Sequence, residues 1–494
     1  MLGGCRLASL LPMTGSTPAK TLILFNHDWD QLAHQRLAGQ WPHISAGFDL
    51  LTFPSNAHLV WFDMERFVDR WAHKAAQLGL GAVHSNHEQF GALAAALLAE
   101  RMGWPGTPVN AVLACQHKLY AREVLQRVAP EATPWFARLD AHYGGPVPDG
   151  LSYPLFVKPV KAAFSVLART VDSQAELHRH TRFGAWELWV IRHLVEPFER
   201  ISRQRLPGAG TAHSLMVEEP ICAAQYCLDG YVLGGQLTPL GCVDVAMYPG
   251  TEAFMRFDYP SRLPPAVQAR AADVARRFLA AVGFTHGLFN MEFFYDAATD
   301  RLTVIEFNPR LAAQFSDLYQ RVDGINLHAI GLALAHGQDP AQVPRTAPTA
   351  GVATSFVYRS FDPQATVPMP DAACQQAFAQ AWPDALLLTF PKSRGSIARD
   401  FKWLGSYRHG IVHLGGRDEA DLRHRCETAS AQLGWVAPYA DLQPHLPGAG
   451  AAAAGTPLAA HAAVAAGASM AVEPRAPASS PSNVGQSAYP SATP

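Results

Sequence analysis

The chain has 494 residues, near-neutral charge (formal net −2) and 49% hydrophobic residues. That length exceeds a single core and suggests two to four domains. The charge balance excludes the basic stripe of a nucleic-acid binder, and no run of eighteen apolar residues offers a membrane span. The seven cysteines are odd in number and dispersed, fitting neither a disulfide framework nor a CxxC metal site. Free thiols of this kind suit a reducing compartment, so a cytoplasmic protein is expected. The opening MLGGC lies too close to Met1, without a charged or apolar stretch before it, to read as an export signal.

Along the chain, Thr21–Phe25 reads as a short buried strand, with further strand candidates at Leu59–Phe62 and Ala82–His84. Residues 86–103 carry apolar positions at helical spacing and end in Gly103. Strands alternating with helices predict parallel βαβ units over 20–115. The absence of GxGxxG after the first strand argues against a dinucleotide site there. Lys118 opens a helical stretch, and residues 153–171 predict two strands. Residues 214–249 predict several strands, with Asp229-Gly230 as a hairpin turn. A helix is expected over 265–282, two strands over 287–308 and a helix near 325–336. A further unit, 346–440, has strands at Val352–Tyr358 and Gly410–Leu414 and a helix at 418–433. From about 445 the composition collapses to Ala, Pro, Ser and Gly, which cannot bury enough surface to order itself.

The most informative segment is LFNMEFFYD, then AATDR, then LTVIEFNPR, ending at Arg310. Two aromatic and β-branched runs flanking a polar turn predict a hairpin. A register symmetric about Thr299 sets Glu292 opposite Glu306 and Asn290 opposite Asn308. Met291, Phe293, Thr303, Ile305 and Phe307 then share the other face. Opposed carboxylates repel unless a cation lies between them. Glu292, Glu306 and Asn308 offer only oxygen, the donor set of Mg²⁺ beside phosphates. Arg310 adds a planar guanidinium suited to phosphate or carboxylate. Lys158 sits in the apolar run LFVKPV, where a buried ammonium needs an anionic partner. The strand ending in Glu218-Glu219-Pro220-Ile221 is stopped by its proline and frees backbone groups suited to an adenine edge.

Taken together, these residues resemble the ATP-grasp superfamily over roughly 20–435. The resemblance implies an α/β and α+β multidomain protein. Its parts would be a pre-ATP-grasp Rossmann-like domain (20–115), a bilobal ATP-grasp domain (116–345), a small α+β C-terminal domain (346–440) and a disordered tail (441–494). By that resemblance, Glu292, Glu306 and Asn308 would ligate Mg²⁺ or Mn²⁺, and Arg310 would hold the transferring phosphate or the acyl phosphate. Lys118 and Lys158 would contact the α- and β-phosphates of ATP. Glu218 and Glu219, with the backbone of Ile221, would take the adenine, and Gln225 stands where relatives place an acidic ribose ligand. The phosphate-covering loop, usually Gly-rich, reads Lys161-Ala-Ala-Phe-Ser165, with Ser165 and Lys161 as donors. After Arg310 the expected glycines are replaced by Leu311-Ala-Ala-Gln314.

The activity implied is ligation of a carboxylate to an amine through an acyl phosphate, on amino acids or small peptides. Small-molecule substrates are the expected partners, without nucleic acid or membrane, and a homodimer is compatible. A biotin-dependent carboxylase, with biotin on another protein since no Met-Lys-Met occurs, and a non-catalytic nucleotide binder are the alternatives. Residues 195–212, polar and basic, suit a moving lid or a plain surface loop. Lys392, Arg394, Arg399, Lys402 and Arg408, with Tyr407 among them, suit an anionic substrate or a solvated basic face.

Overall fold

A computed structural model describes residues 19–26, 28–50, 55–142, 144–162, 168–365 and 367–443. The Ala- and Pro-rich tail expected to be disordered lies, but for its first residues, outside the described residues, as does Ser165. The chain begins with the parallel strands β1 (Lys20–Leu24), β2 (His43–Ala46) and β3 (Leu80–His84), in the order β2-β1-β3. The connecting helices Asp28–Leu37 and Met64–Leu78 make these βαβ units, as the alternating pattern predicts. Asp63 caps the second helix by accepting from the Arg66 amide, and Gly79 ends it in the left-handed region at φ 65°. The Ala-rich segment expected at 86–103 is helical over Gly91–Met102, with Ala92, Leu93, Ala94, Ala96, Leu98 and Ala99 buried and Glu100 and Arg101 exposed.

The strand expected at Leu59–Phe62 does not form. Leu59, Val60 and Trp61 close a 3₁₀ helix, Ser55–Trp61, in which Leu59 alone is buried and Trp61 is 81% exposed. Four apolar residues without alternation specify burial, not extension. Here Asp63, the cap of the next helix, follows too closely for a strand to run on.

The second sheet is antiparallel, with β4 (Phe136–His142), β5 (Leu155–Pro159), β6 (Arg169–Val171) and β7 (Ser214–Glu218) in the order β4-β7-β5-β6. Helix Ala185–Arg205 spans two cores. Leu188 and Ile191 pack with Leu139 and Val157 of this sheet, whereas Val195, Phe198 and Ile201 join Leu22 and Val68 of the first layer. Most of the segment expected as a lid or loop, 195–212, is therefore docked helix. Its apolar positions 195, 198 and 201 recur at helical spacing beneath the charges that gave the segment a polar look.

The third sheet has eight strands: β8 (Ala224–Leu233), β9 (Gln236–Met247), β10 (Phe254–Tyr259), β11 (His286–Asp296), β12 (Arg301–Asn308), β13 (Val352–Ser360), β14 (Leu386–Thr389) and β15 (Tyr407–Gly416). The order is β12-β11-β8-β9-β10-β13-β15-β14, so the sheet continues unbroken past residue 346. Asp229-Gly230 is not a turn but lies inside β8, and the chain reverses at Gly234-Gly235, with φ 58° and 82°. The pair has another purpose. A Cβ at Gly230 would stand 2.7 Å from the Phe289 ring and 2.8 Å from the Thr238 carbonyl, so glycine permits this packing. Asp229 is buried, with Asn290 donating to Oδ1 at 3.0 Å and Tyr319 to Oδ2 at 3.0 Å. Burial pushes its carboxyl up to about 7. No helix among the described residues is long and apolar enough to cross a membrane.

Candidate active site

Strands β11 and β12 pair antiparallel, with Glu292 opposite Glu306 and Asn290 opposite Asn308. The symmetric register holds to that point and then shifts by one. Phe293 pairs with Val304, so Ile305 is a bulge. This corrects the expectation for two residues: Val304, 1% exposed, fills the packed face, while Ile305 is only half-buried and Thr303 pairs with Phe294, on the face of Glu292. The bulge turns the Ile305 carbonyl towards Arg122, whose Nη2 donates to it at 2.7 Å. Met291, Phe293 and Phe307 are buried in the opposite core, which leaves both glutamates half-buried on the other side.

The two carboxyl groups differ. Burial and the Glu306 charge raise the Glu292 carboxyl well above the usual carboxylate range. Burial also works against the charge of Glu306. The Lys118 ammonium, bonded to Oε2, holds Glu306 below that range all the same, with Lys158 and Arg310 behind it. Glu292 is braced by neutral amides instead. Asn308 Nδ2 donates to its Oε1 at 3.2 Å, and Gln225 Nε2 donates to its Oε2 at 3.0 Å. Gln225, expected at a ribose, thus faces the carboxylate pair. Asn308 Nδ2 also reaches Asn290 Oδ1 at 3.2 Å, which ties the hairpin to buried Asp229.

Lys118 is placed by its backbone. Its amide donates to the Val160 carbonyl at 3.0 Å, which pins the start of helix Lys118–Val128 to the end of β5. Lys158 and Lys161 therefore enter the same cleft. Lys158 finds the partner its burial requires: Glu218 Oε2 lies 2.8 Å away, and Arg122 Nε bonds the other oxygen at 2.6 Å. Burial opposes the charge of Glu218, yet these two cations hold its carboxyl near 2. Burial lowers the Lys158 ammonium to about 8 despite Glu218, since that carboxylate is shared with Arg122.

Glu219 lies outside this cluster. Its Oε1 accepts from the Trp135 amide at 3.0 Å and from Arg301 at 2.5 Å. Ile221 is half-buried in the link between β7 and β8. Arg310 donates through Nε to Glu88 Oε2 at 2.8 Å and through Nη1 to the Leu311 carbonyl at 3.2 Å. Glu88 is held in turn by Gln116, which donates to its Oε1 at 2.9 Å.

The structure therefore gathers Lys118, Lys158, Glu218, Gln225, Glu292, Glu306, Asn308 and Arg310 around one cleft. It adds Glu88, Gln116 and Arg122, which the sequence reading did not name. Arg122 carried a signal, since it stands four residues after Lys118 on one helix face. Glu88 carried none, because its partner is more than two hundred positions away. The basic set of the last unit is used differently. Lys392 pairs with Asp400 at 3.2 Å, Arg408 lies 4.0 Å over the Phe390 ring, and Tyr407 is buried. The side chains of Arg399 and Lys402 lie outside the described residues.

The donor chemistry suits a divalent ion. Two carboxylates share one face at adjacent strand positions, Glu292 is bonded by neutral amides, and Asn308 offers an amide oxygen. No cluster of three or more His, Cys, Asp or Glu side chains among the described residues provides an all-protein cage.

The chain has the fold of the ATP-grasp ligases. An L-amino acid ligase from Bacillus licheniformis superposes with a TM-score of 0.62 at 15% identity, covering 85% of this chain and 98% of that one. The N5-carboxyaminoimidazole ribonucleotide synthetase of Thermus thermophilus gives 0.54 at 17% identity, covering 86% and 99%. A biotin carboxylase from Campylobacter jejuni gives 0.55 at 14%, covering 84% and 92%. In sequence, carnosine synthase 1 of Gallus gallus is 29% identical over 270 residues, which is 51% of this chain but only 27% of that relative. No protein-family model matches the chain.

Proposed function

We propose that this chain is a Mg²⁺- and ATP-dependent ligase that activates a carboxylate as an acyl phosphate and joins it to an amine, with an amino acid or small peptide among its substrates. The observation that carries this reading is the opposed pair Glu292 and Glu306 in a cleft lined by Lys118, Lys158 and Arg310. The substrate class rests on the names of two similar proteins, the L-amino acid ligase and carnosine synthase 1.

In this reading Glu292, Glu306 and Asn308 hold the ion. Bound there, Mg²⁺ or Mn²⁺ neutralises charge on phosphate oxygens. Lys118 and Lys158 hold the α- and β-phosphates. Lys118 exchanges part of its bond to Glu306 for phosphate. The carboxylate of Glu218 stays on Lys158 and Arg122, so at the adenine edge it offers backbone, beside Glu219 and Ile221. Arg310, oriented by Glu88, steadies the transferring phosphoryl group. A substrate carboxylate oxygen attacks the γ-phosphorus and ADP leaves. The amine nitrogen then attacks the acyl carbon, phosphate leaves, and the amine gives up a proton as the amide forms.

The test is phosphate release from ATP and Mg²⁺ with pooled amino acids, run beside a Glu306→Ala control. Release that depends on the pool and vanishes in the control is expected. No release with any carboxylate and amine pool refutes ligation. Turnover that requires bicarbonate and biotin would identify the carboxylase reading instead.

A further inference from the structure

Four cleft cations each bond a carboxylate. Lys118 bonds Glu306, Lys158 and Arg122 share Glu218, and Arg310 bonds Glu88. Lys161 breaks the pattern. It is 2% exposed, and its Nζ has no hydrogen-bond partner among the described residues. Its nearest aromatic support is the Phe198 ring, with the centroid 5.0 Å from Nζ. A buried ammonium without a bonded anion is costly, and an oxyanion of a ligand would relieve that cost.

Place and charge both point into the cleft. Lys161 follows Val160, whose carbonyl receives the Lys118 amide, so the two side chains start from adjoining backbone. Its electrostatic neighbours are Glu88, Lys118, Glu306 and Arg310, the groups on either side of the proposed transfer point. Position 161 also opens the segment where the sequence lacks the glycines expected to approach phosphate by backbone.

We propose that Lys161 is a ligand-contacting residue of this cleft, an ammonium kept without a protein partner so that it binds an oxyanion of the substrates. It replaces, with a side-chain charge, backbone contacts that a glycine-rich loop would make. The inference rests on the ligase reading above. Two oxyanions share the required chemistry: the terminal phosphoryl group of the nucleotide and the carboxylate of the acyl substrate.

The experiment uses the full chain and the variants Lys161→Met and Lys161→Arg. Calorimetry with Mg²⁺ measures binding of ADP and of the non-hydrolysable triphosphate AMPPNP, and melting curves are recorded without ligand. Loss of a charge-assisted contact is expected to weaken one ligand about tenfold or more. If AMPPNP weakens in Lys161→Met while ADP does not, the oxyanion is the terminal phosphoryl group. If both nucleotides bind as before but more of the amino-acid pool is needed for half-maximal phosphate release, it is the carboxylate. In either case Lys161→Arg recovers part of the loss, and ligand-free Lys161→Met melts no lower than wild type, because an unpaired buried charge has gone.

A Lys161→Met protein that matches wild type in both titrations and in pool dependence overturns the inference. So does one that melts lower without ligand and binds every ligand equally worse, since that describes a structural residue. A wild-type chain that binds neither nucleotide would instead remove the ligase reading on which the inference stands.

Discussion

Two charge clusters lie side by side in the cleft, and they are built on opposite rules. Around Glu218 the charges are closed: one carboxylate, 7% exposed at its side chain, bonds Lys158 through one oxygen and Arg122 through the other. Around Glu292 and Glu306 they are open. One acid has its lysine, the other has only amides, and the two face each other across adjacent strands. A closed cluster is complete without ligand and fixes structure. An open one holds like charges together at a cost that a bound cation relieves. The comparison separates Glu218, a carboxylate already neutralised by its own cations, from the paired acids Glu292 and Glu306, which hold like charge together.

Breaking the closed cluster should cost the most. Glu218→Gln leaves Lys158 and Arg122 without their anion, and about 3–5 kcal/mol of stability is expected to go. Chemical unfolding monitored by tryptophan fluorescence checks this. The pH dependence has a definite sign. The Glu218 carboxyl falls from 4.5 to about 2 on folding, so its contribution is present in full above 4.5 and lost as the pH drops towards 2. The wild type should lose stability steeply through that window, and Glu218→Gln should lose less. Equal slopes would mean that the carboxylate is not what these cations bind.

The open cluster should respond in the reverse sense. Glu292→Gln removes one of two opposed acids while keeping its shape, so stability without ligand should hold or rise. Phosphate release should fall about 100-fold or more, the scale seen when one electrostatic stabiliser is lost. Mg²⁺ should also lose its effect on the melting curve. A variant that melts much lower and keeps its Mg²⁺ response would place Glu292 among the structural groups.

The same contrast explains what was legible in the sequence. The hairpin was readable because its signals are local: alternation, a polar turn and two acids at mirrored positions. Lys158 was readable as a buried charge in need of a partner, yet the sequence could not say that Glu218 is that partner. Their strands, β5 and β7, are neighbours in the sheet, but the two residues stand 60 positions apart in sequence. Glu218 was read for the backbone its strand end frees, and nothing local showed that its carboxylate is bonded to Arg122 and Lys158. The bulge at Ile305 was invisible for a related reason. Nothing in LTVIEFN separates a regular strand from one whose carbonyl is turned out to meet Arg122. At Asp229-Gly230 a strong local turn signal lost to tertiary packing against Asn290, Tyr319 and Phe289.

That last site gives a smaller effect. Gly230→Ala places a methyl group 2.7 Å from the Phe289 ring, which is too close without a shift of β8 or β11. About 1–3 kcal/mol should be lost, the usual cost of overpacking. If glycine served there as a turn, alanine would be opposed by backbone strain and the neighbouring ring would not matter. Combining Gly230→Ala with Phe289→Leu distinguishes the two cases, because the second change relieves only the steric clash.

The smallest effect belongs to Glu219, one position beyond the closed cluster. Its carboxylate is a third exposed and bonds Arg301, itself 45% exposed, so solvent screens the pair. Glu219→Gln should change stability by less than about 1 kcal/mol, and the pair's coupling in a double-mutant cycle with Arg301→Gln should be of the same size. The Trp135 amide still finds an oxygen on the glutamine, so that bond survives the change. Neighbouring glutamates in one EEPI segment would then differ several-fold in their effect on stability. The cause would be burial and partner number, since the side chains are identical. A large loss at Glu219, comparable to that at Glu218, would show that the EEPI segment holds its charge as one unit and that the boundary drawn between the clusters is misplaced.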